Sequence, residues 1–141
     1  MEKRIISAEL MKLMSMFEAV TKVSLKDCFI DETNNLLTFI VSEGKIGQAL
    51  GKKASNVKNL EARLKRRVKI VEYNPDVKSF IKSLLFPLAI NDISEIENGV
   101  FQIEPADNKT RGMIIGRNAI NLRNLEKITR RFFDVNEIKV V

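Results

Sequence analysis

The sequence predicts an α+β protein built from two similar domains, residues 1–73 and 74–141. A stretch that begins at Gly47 recurs 65 positions later at Gly112, and an internal repeat of this kind indicates a repeated structural unit. Hydrophobic periodicity and turn residues also predict one order of elements in both halves. That order is helix, strand, strand, helix, loop, helix and strand. A chain of 141 residues is long enough for two small domains.

The first half begins with an amphipathic helix over residues 7–20. Ser7 is a suitable N-cap, and Leu10 and Phe17 lie on the apolar face of this helix. A cluster of polar residues at 31–35 predicts a turn between two strands. The remaining elements of this half are predicted as strands at 23–30, 36–41 and 68–73 and a basic helix-loop-helix unit at 44–67.

The second half follows the first with almost no linker. Asn74 is a good N-cap and Pro75 suits the first helical position, so we expect a helix to begin there. The apolar stripe of this helix ends before Pro87. The dipeptide Asn98-Gly99 is a strong hairpin signal. The later elements are predicted as strands at 89–96, 100–105 and 137–141 and a second basic helix-loop-helix unit at 108–131.

Each repeat places a glycine where its first helix has to stop, Gly51 in one copy and Gly116 in the other. Glycine tolerates the positive φ that ends many helices. We expect Ala54 and Ala119 to start the second helix of each copy, since alanine is a good helix residue. Free N–H groups at the start of that helix, together with its dipole, favour an anion. Each loop is therefore a predicted phosphate site.

The repeated motif resembles the KH domain, in which a Gly-x-x-Gly loop between two helices clamps single-stranded nucleic acid. The order of elements in each half is that of the type II (prokaryotic) KH fold. The pattern Ile-Gly-x-x-x-Gly-Lys-x-x-x-Asn-Val-x-x-Leu begins at Ile46 and recurs in similar form. It resembles the paired KH module of the NusA family, in particular its stand-alone archaeal form. Residues 72–81 resemble the junction between the two KH units of that family.

The resemblance implies two tandem type II KH domains, each with a three-stranded sheet packed on three helices. It further implies a factor that binds single-stranded RNA and works with RNA polymerase during elongation, pausing or termination. Both loops depart from the family pattern in one respect, because Ala54 and Ala119 stand where the second glycine is expected. The added Cβ would crowd a bound phosphate. The fold is therefore more firmly predicted than RNA binding at both loops.

The predicted RNA-binding residues fall into two matched sets. In the first copy they are Gly51, Lys52, Lys53, Ala54, Lys58 and Lys45. In the second copy they are Gly116, Arg117, Asn118, Ala119, Arg123 and Arg111. Aliphatic side chains beside the loops are candidates for an apolar floor under the bases, although core packing explains them equally well: Ile46, Leu50, Val57, Ile115 and Ile120. The first loop, with two lysines, is expected to bind more strongly.

Charge is concentrated in the two repeats. Residues 44–69 carry nine Lys or Arg against Glu61 alone, and residues 109–131 carry seven against Glu126 alone. The whole chain has a net charge of +6, so the rest of the chain is acidic. Two matched basic units on an otherwise acidic chain favour a polyanion partner over simple solvation of a helix face.

Residue types exclude several chemistries. The chain has no histidine and one cysteine, Cys28, which removes histidine acid–base catalysis, Cys/His zinc sites and an internal disulfide. Cys28 lies in an apolar run, so a buried and inert thiol is expected. We predict no catalytic residue, metal or cofactor. No apolar run has the length of a membrane span, and the N-terminus lacks the apolar segment of a signal peptide. A cytoplasmic monomer is expected.

Three alternatives stay open at this point. A KH protein of the ribosome or of RNA processing would need the same RNA surface as a polymerase-linked factor. A helix-turn-helix DNA binder also joins two helices by a glycine-containing turn. An enzyme that acts on RNA would need a general base or a metal site, and no acidic cluster lies near the basic loops in the sequence.

Overall fold

A computed structural model describes residues 7–141, and these residues divide into two compact units. Asn74 ends the first unit and Pro75 begins the second. The predicted first domain begins at residue 1, and its first six residues, on which the signal-peptide expectation rests, lie outside the described residues.

The two units share one order of elements, which confirms the order predicted from periodicity. In the first unit the elements are α1 Ala8–Thr21, β1 Leu25–Asp31, β2 Leu36–Val41, α2 Ile46–Leu50, α3 Ser55–Leu64 and β3 Arg67–Glu72. In the second unit they are α4 Val77–Leu85, β4 Ile90–Glu97, β5 Val100–Pro105, α5 Asn108–Ile115, α6 Ile120–Arg130 and β6 Glu137–Val140. A single 3₁₀ turn separates α2 from α3, and another separates α5 from α6.

Each unit contains one three-stranded sheet with the same topology. The strand orders are β1-β2-β3 and β4-β5-β6. The first pair of strands in each sheet is antiparallel and the second pair is parallel. The parallel strand can enter only after a crossover, and in both units the two helices that flank the loop form that crossover. The sheet topology therefore places both loops at equivalent positions.

The core of the first unit lies between its helices and one face of its sheet. Phe17 of α1 stacks on Phe39 of the central strand, with ring centroids 4.5 Å apart. Leu60 of α3 and Ala49 of α2 are fully buried in the same cluster. Cys28 is buried beside Phe39 as well, which confirms the expected environment of this thiol.

The core of the second unit is built around Phe80 of α4. Its ring meets the rings of Phe132 and Phe133 at centroid distances of 5.4 and 5.7 Å. Phe80, Ile81, Leu84 and Leu85 are all buried, so the apolar stripe predicted for this helix is confirmed. Offset and edge-to-face aromatic contacts stabilise a core beyond the area that they bury.

Helix α4 begins later than the sequence predicts. Asp76, not Asn74, is its N-cap, and the helix starts at Val77, so Pro75 precedes it. The Asp76 carboxylate accepts hydrogen bonds from the Ser79 hydroxyl at 2.7 Å and from the Ser79 N–H at 3.0 Å. These two bonds lower the pKa of Asp76. An ionised side chain that accepts two hydrogen bonds is a stronger cap than Asn74 would be at its position.

Two other helices begin at side-chain caps. Ser7 accepts the N–H of Leu10 at 3.1 Å and caps α1, as the sequence predicts. Asp107 accepts the N–H of Thr110 at 2.7 Å and caps α5. Hydrogen bonds from Thr110 lower the pKa of Asp107. Among residues 7–141, no helix combines the length and the apolar character needed to cross a bilayer.

Candidate nucleic-acid interface

The loop of the first unit runs from Gly51 to Ala54 and has an unusual backbone. Gly51 ends α2 with φ 75° and ψ 174°. Lys53 and Ala54 both lie in the left-handed region, at φ 54° and ψ 36° and at φ 57° and ψ 32°. Two consecutive residues with a Cβ in this region are uncommon, since each costs about 1–2 kcal/mol. Such strain is found most often at functional sites.

The loop of the second unit follows the same path. Gly116 has φ 73° and ψ 174°, Asn118 has φ 54° and ψ 30°, and Ala119 has φ 61° and ψ 23°. Asparagine enters the left-handed region more readily than lysine does. The two loops therefore share one backbone conformation although their middle residues differ.

The two loop alanines are not helical. The sequence predicts them as the first residues of the second helix, but α3 begins at Ser55 and α6 begins at Ile120. Ala54 and Ala119 stand just before these helices in the left-handed conformation. Helix propensity therefore does not explain why alanine is tolerated here, since the same residue is strained at this φ.

In each unit, two N–H groups at the start of the second helix are already hydrogen-bonded within the loop, whereas the sequence predicts free N–H groups there. The N–H of Ala54 donates to the Gly51 carbonyl at 3.2 Å, and the N–H of Ser55 donates to the Lys52 carbonyl. The second loop repeats both bonds, with Ala119 donating to Gly116 at 3.2 Å and Ile120 donating to Arg117. Backbone contact with a phosphate at Ala54 is therefore disfavoured. The candidates for phosphate contact in this loop are the basic side chains and the N–H groups of residues 52 and 53.

Gly51 and Gly116 are required by both conformation and space. Each has a positive φ, and a Cβ added to Gly51 would lie 2.8 Å from Ser55 Oγ and 3.0 Å from the Asn56 amide. A Cβ added to Gly116 would lie 2.6 Å from the Asn121 amide carbon. Gly47 and Gly112, which recur equally well in the sequence, have open space around them.

Asn56 and Asn121, to which the sequence assigns no role, bond the second helix of each repeat to the end of the first. The side-chain amide of Asn56 donates to the carbonyls of Ala49 at 3.1 Å and Gln48 at 3.3 Å. The amide of Asn121 donates to the equivalent carbonyl of Met113 at 3.0 Å. Each asparagine thus joins the second helix to the end of the first. The signal was available, because both asparagines recur at one offset within the repeat.

The basic side chains of the first loop are exposed. Lys45, Lys52, Lys53 and Lys58 all point into solvent. Within the described part of the chain, none of the four makes an ion pair. The positive charge of these lysines is therefore available to a ligand.

The second loop offers less free charge. Arg111, Arg117 and Asn118 are exposed, but Arg123 donates from Nη1 to Glu126 Oε1 at 3.0 Å. Glu126 is buried and also lies 3.9 Å from Arg130 Nη2. Arg123 is thus partly neutralised within its own helix.

The repeated glutamates have a structural role. Glu126 Oε2 accepts the N–H of Ile138 at 2.8 Å, and Glu61 Oε2 accepts the N–H of Val68 at 3.0 Å. Each bond joins the last helix of a unit to its last strand. Of the two, Glu126 is the one that also attracts arginines.

Arg66 and Arg67, two of the nine basic residues counted at 44–69, make contacts within the first unit. Arg66 lies 3.6 Å from Glu9 and 3.8 Å from Glu32, and Arg67 donates to the Asn34 carbonyl at 3.0 Å. The charge counted from the sequence therefore overstates what a ligand would meet. Among residues 7–141, no three acidic or cysteine side chains come together as a metal-binding group.

Comparison with known proteins places this geometry in a family. Residues 13–104 match the KH domain family, a span that includes the first loop and ends before the second. The crystal structure of APE1850 is similar to this chain, with a TM-score of 0.73 and 29% identity, over 96% of this chain and 100% of that one.

Several relatives are proteins named "Probable transcription termination protein NusA". The one from Methanocaldococcus jannaschii is 31% identical over 98% of this chain and 75% of its own length. The one from Halobacterium salinarum is 31% identical over 96% of both chains. A third, from Thermoplasma acidophilum, is 23% identical over 96% of this chain and 94% of its own. The chain therefore belongs to the KH domain family and to the NusA-like group that these archaeal relatives define.

Proposed function

We propose that this protein is a single-stranded RNA-binding transcription factor of the NusA type. In this proposal the two units are tandem type II KH domains, at residues 1–73 and 74–141. The shared order of elements, the shared sheet topology and the repeated loop support this assignment. No catalytic step is assigned to it, and the activity is binding.

The observation that carries the proposal is the loop of the first unit. Two exposed lysines, Lys52 and Lys53, lie on a strained turn between two helices, with Lys45 and Lys58 on either side. Two lysines on the turn, with two more exposed lysines on the flanking helix segments, attract a polyanion, and a fixed turn lets a backbone phosphate approach at a defined place. Clamping of a nucleotide backbone by such a loop is the known binding mode of KH domains.

We assign the binding residues as two unequal sets, and in neither set does the bonded N–H of the loop alanine contact a phosphate. In the first set Gly51, Lys52, Lys53 and Ala54 form the turn, and Lys45 and Lys58 flank it. In the second set Gly116, Arg117, Asn118 and Ala119 form the turn, and Arg111 and Arg123 flank it. Of the five aliphatic candidates for an apolar floor, Ile46 and Val57 pack against the core of the first unit. We therefore assign the floor to the three half-buried side chains that are left: Leu50, Ile115 and Ile120.

Association with RNA polymerase is the finer part of the proposal. It is supported by the names of the archaeal relatives, which are described as probable transcription termination proteins. A polymerase-bound factor meets RNA as a single strand, which suits a loop that clamps a backbone without opening a duplex. A cytoplasmic location and a monomeric state are proposed with it.

The test is RNA binding across a salt series. Short single-stranded RNA and duplex DNA are titrated with the wild-type protein, with Lys52→Asp/Lys53→Asp and with Arg117→Asp. We expect the single strand to bind more tightly than the duplex. For single strands the slope of log K against log salt changes by about 0.7 for each phosphate that the protein ceases to neutralise. The double variant should therefore flatten the slope by about 1.4, and Arg117→Asp by about 0.7 or less.

Lys12→Asp/Lys78→Asp is the matched control, since both lysines are exposed and the pair makes the same change of charge outside both repeats. An equal weakening in the control and in Lys52→Asp/Lys53→Asp would show that net charge alone matters, and it would contradict the site. A preference for duplex DNA would favour the helix-turn-helix alternative. Binding of purified RNA polymerase to a protein with an intact RNA site tests the second half of the proposal separately.

A further inference from the structure

Each loop is bridged by one asparagine from the helix that follows it. In the first unit Asn56 Nδ2 reaches back to the Gln48 and Ala49 carbonyls, and in the second Asn121 Nδ2 reaches the Met113 carbonyl. The same side chains occupy the space beside the loop glycines, since a Cβ on Gly51 or Gly116 would collide with them. The contact is therefore a paired arrangement of glycine and asparagine that occurs twice.

We propose that Asn56 and Asn121 are positioning residues that lock the two loops in their strained conformation. The lock fixes the direction in which the second helix leaves the loop, and it thereby holds the basic side chains of residues 52–53 and 117 where a phosphate can be met. The conformational part of this inference stands by itself. Its consequence for RNA rests on the proposed function.

The chemistry of the lock requires a neutral donor of this length. The last carbonyls of a helix have no partner inside that helix, and the asparagine amide satisfies them with its N–H groups. An aspartate has the same shape but offers only acceptors at neutral pH, so it would face carbonyl oxygens with a negative charge. Helix α2 has only five residues, which is too short to persist without support from its neighbours.

Each loop needs such a lock because its backbone is strained. Lys53 and Ala54 in one copy, and Asn118 and Ala119 in the other, hold the left-handed conformation. Strained backbone persists only where the surrounding structure enforces it. The internal bonds from Ala54 to Gly51 and from Ala119 to Gly116 close the turns, but they lie inside the loops and do not connect them to the preceding helices. The N–H of Gly51 donates to the Gly47 carbonyl at 3.1 Å, and that of Gly116 to the Gly112 carbonyl at 2.9 Å, so each loop glycine is bonded to the preceding helix. The asparagines add the side-chain bonds from the second helix to the end of the first.

The chain offers a matched control one turn further along each helix. Asn59 and Asn124 recur in the repeat as Asn56 and Asn121 do. Asn59 is exposed, and its oxygen accepts from Arg63 Nε at 2.7 Å, away from the loop. Asn56→Asp and Asn59→Asp add the same charge to the same helix, so their difference reports the removal of the donor. Asn121→Asp and Asn124→Asp repeat the comparison in the second unit.

The first measurement uses no RNA. Amide hydrogen exchange is followed at Gly51, Ala54 and Ser55 and at the buried strand β2 as an internal reference. We expect Asn56→Asp to speed exchange in the loop by about tenfold, the order of magnitude for one missing hydrogen bond. Exchange in β2 should stay unchanged, and Asn59→Asp should leave both regions as in the wild type. Equal exchange in the two variants would overturn the lock.

The second measurement adds single-stranded RNA over the same salt series. If the lock positions the basic side chains, Asn56→Asp should flatten the salt slope by about 0.7 more than Asn59→Asp does. Faster loop exchange with identical RNA binding in the two variants would keep the lock and contradict RNA binding at this loop. The two failures are thus distinguishable.

A second pair of variants controls for general unfolding of the first unit. Should exchange in β2 also rise in Asn56→Asp, the same comparison is made with Asn56→Ser and Asn59→Ser. Serine adds no charge and is too short to reach the Ala49 carbonyl. Faster loop exchange in Asn56→Ser than in Asn59→Ser supports the lock, and equal exchange overturns it.

Discussion

The loop of the first unit and the loop of the second have the same backbone and different side chains. Their glycines, left-handed alanines and bridging asparagines coincide. Lys53, in contrast, is replaced by Asn118, and the charge of Lys58 is replaced by Arg123, which a buried glutamate attracts. The glycines, alanines and asparagines therefore determine the loop geometry, and different residues determine the charge of each loop. Equal geometry therefore does not predict equal affinity.

The largest expected change in unfolding free energy comes from replacing the loop glycines. Gly51→Ala and Gly116→Ala combine a strained φ with a collision, so we expect each to lower the free energy of unfolding by about 2–4 kcal/mol. Gly47→Ala and Gly112→Ala lie in open helical positions and should be neutral or stabilise by up to about 1 kcal/mol. Urea unfolding measures all four. Similar destabilisation at Gly47 and Gly51 would show that the loop backbone is not special.

The next effect concerns the repeated glutamates. Glu126→Gln removes the buried charge that pairs with Arg123 and lies 3.9 Å from Arg130, and we expect it to cost about 2 kcal/mol of unfolding free energy. Glu61→Gln keeps an acceptor for the Val68 N–H and, among the described residues, breaks no ion pair, so its cost should stay below about 1 kcal/mol. The two values come from urea unfolding of the single variants. The reverse order would mean that the arginine pairs contribute nothing to the second unit.

A smaller effect of opposite sign concerns the loop alanines. Ala54→Gly relieves the strain of the left-handed conformation and should stabilise the protein by up to about 1 kcal/mol, after the extra flexibility of the unfolded chain is counted. Ala62→Gly makes the same change at an exposed position within α3 and should destabilise by about 1 kcal/mol. Thermal unfolding of both variants gives the signs. Destabilisation by Ala54→Gly would contradict the left-handed loop.

The smallest effect concerns acid pH and compares the two helix caps. Hydrogen bonds from Ser79 and from Thr110 hold the pKa values of Asp76 and Asp107 below the ordinary 3.8. A lowered folded pKa means that the stabilisation is present above the ordinary value and is lost as pH falls through the lower one. Asparagine caps without ionising, so Asp76→Asn and Asp107→Asn should each reduce the fall in Tm in this acid range.

Asp92→Asn is the control for the caps, because Asp92 is an exposed aspartate on β4. Its Tm should follow the wild-type profile throughout the acid range. If the two cap variants follow that profile as well, the caps do not contribute to the acid dependence of stability.

Much of the fold could be predicted from the sequence because its signals are local. The strand at 36–41 is a short apolar run after a polar turn, and the helix stripe around Phe80 is a periodic pattern with one apolar face. The structure confirms both, and it shows that all of β2 except Leu36 is buried. The hairpin at Asn98-Gly99 depends on turn residues alone, and it too is confirmed. The predicted start of α4 was wrong by two residues, since Asn74 and Asp76 are both suitable caps and it is Asp76 that accepts the N–H of Ser79.

The candidate site was predicted in position but not in detail. Gly51, Lys52 and Lys53 lie on one exposed turn, as expected. The sequence could not show that Ala54 is left-handed, because propensity describes an isolated helix and not a turn held by its neighbours. It also could not show that Glu126 is buried against β6, where its carboxylate accepts the Ile138 N–H, although the i,i+3 spacing of Arg123 and Glu126 allows an ion pair on one helix.

The sequence by itself determined the repeat, the order of the elements and the concentration of charge in two places, because each of these is carried by residue identity and spacing. The tertiary structure decided which glycine is indispensable and which basic side chains are free. Gly47 and Gly51 recur alike, but only Gly51 has a positive φ and an asparagine against it. Whether a residue type is required depends on the space and the partners around it, and packing brings those together from distant parts of the chain.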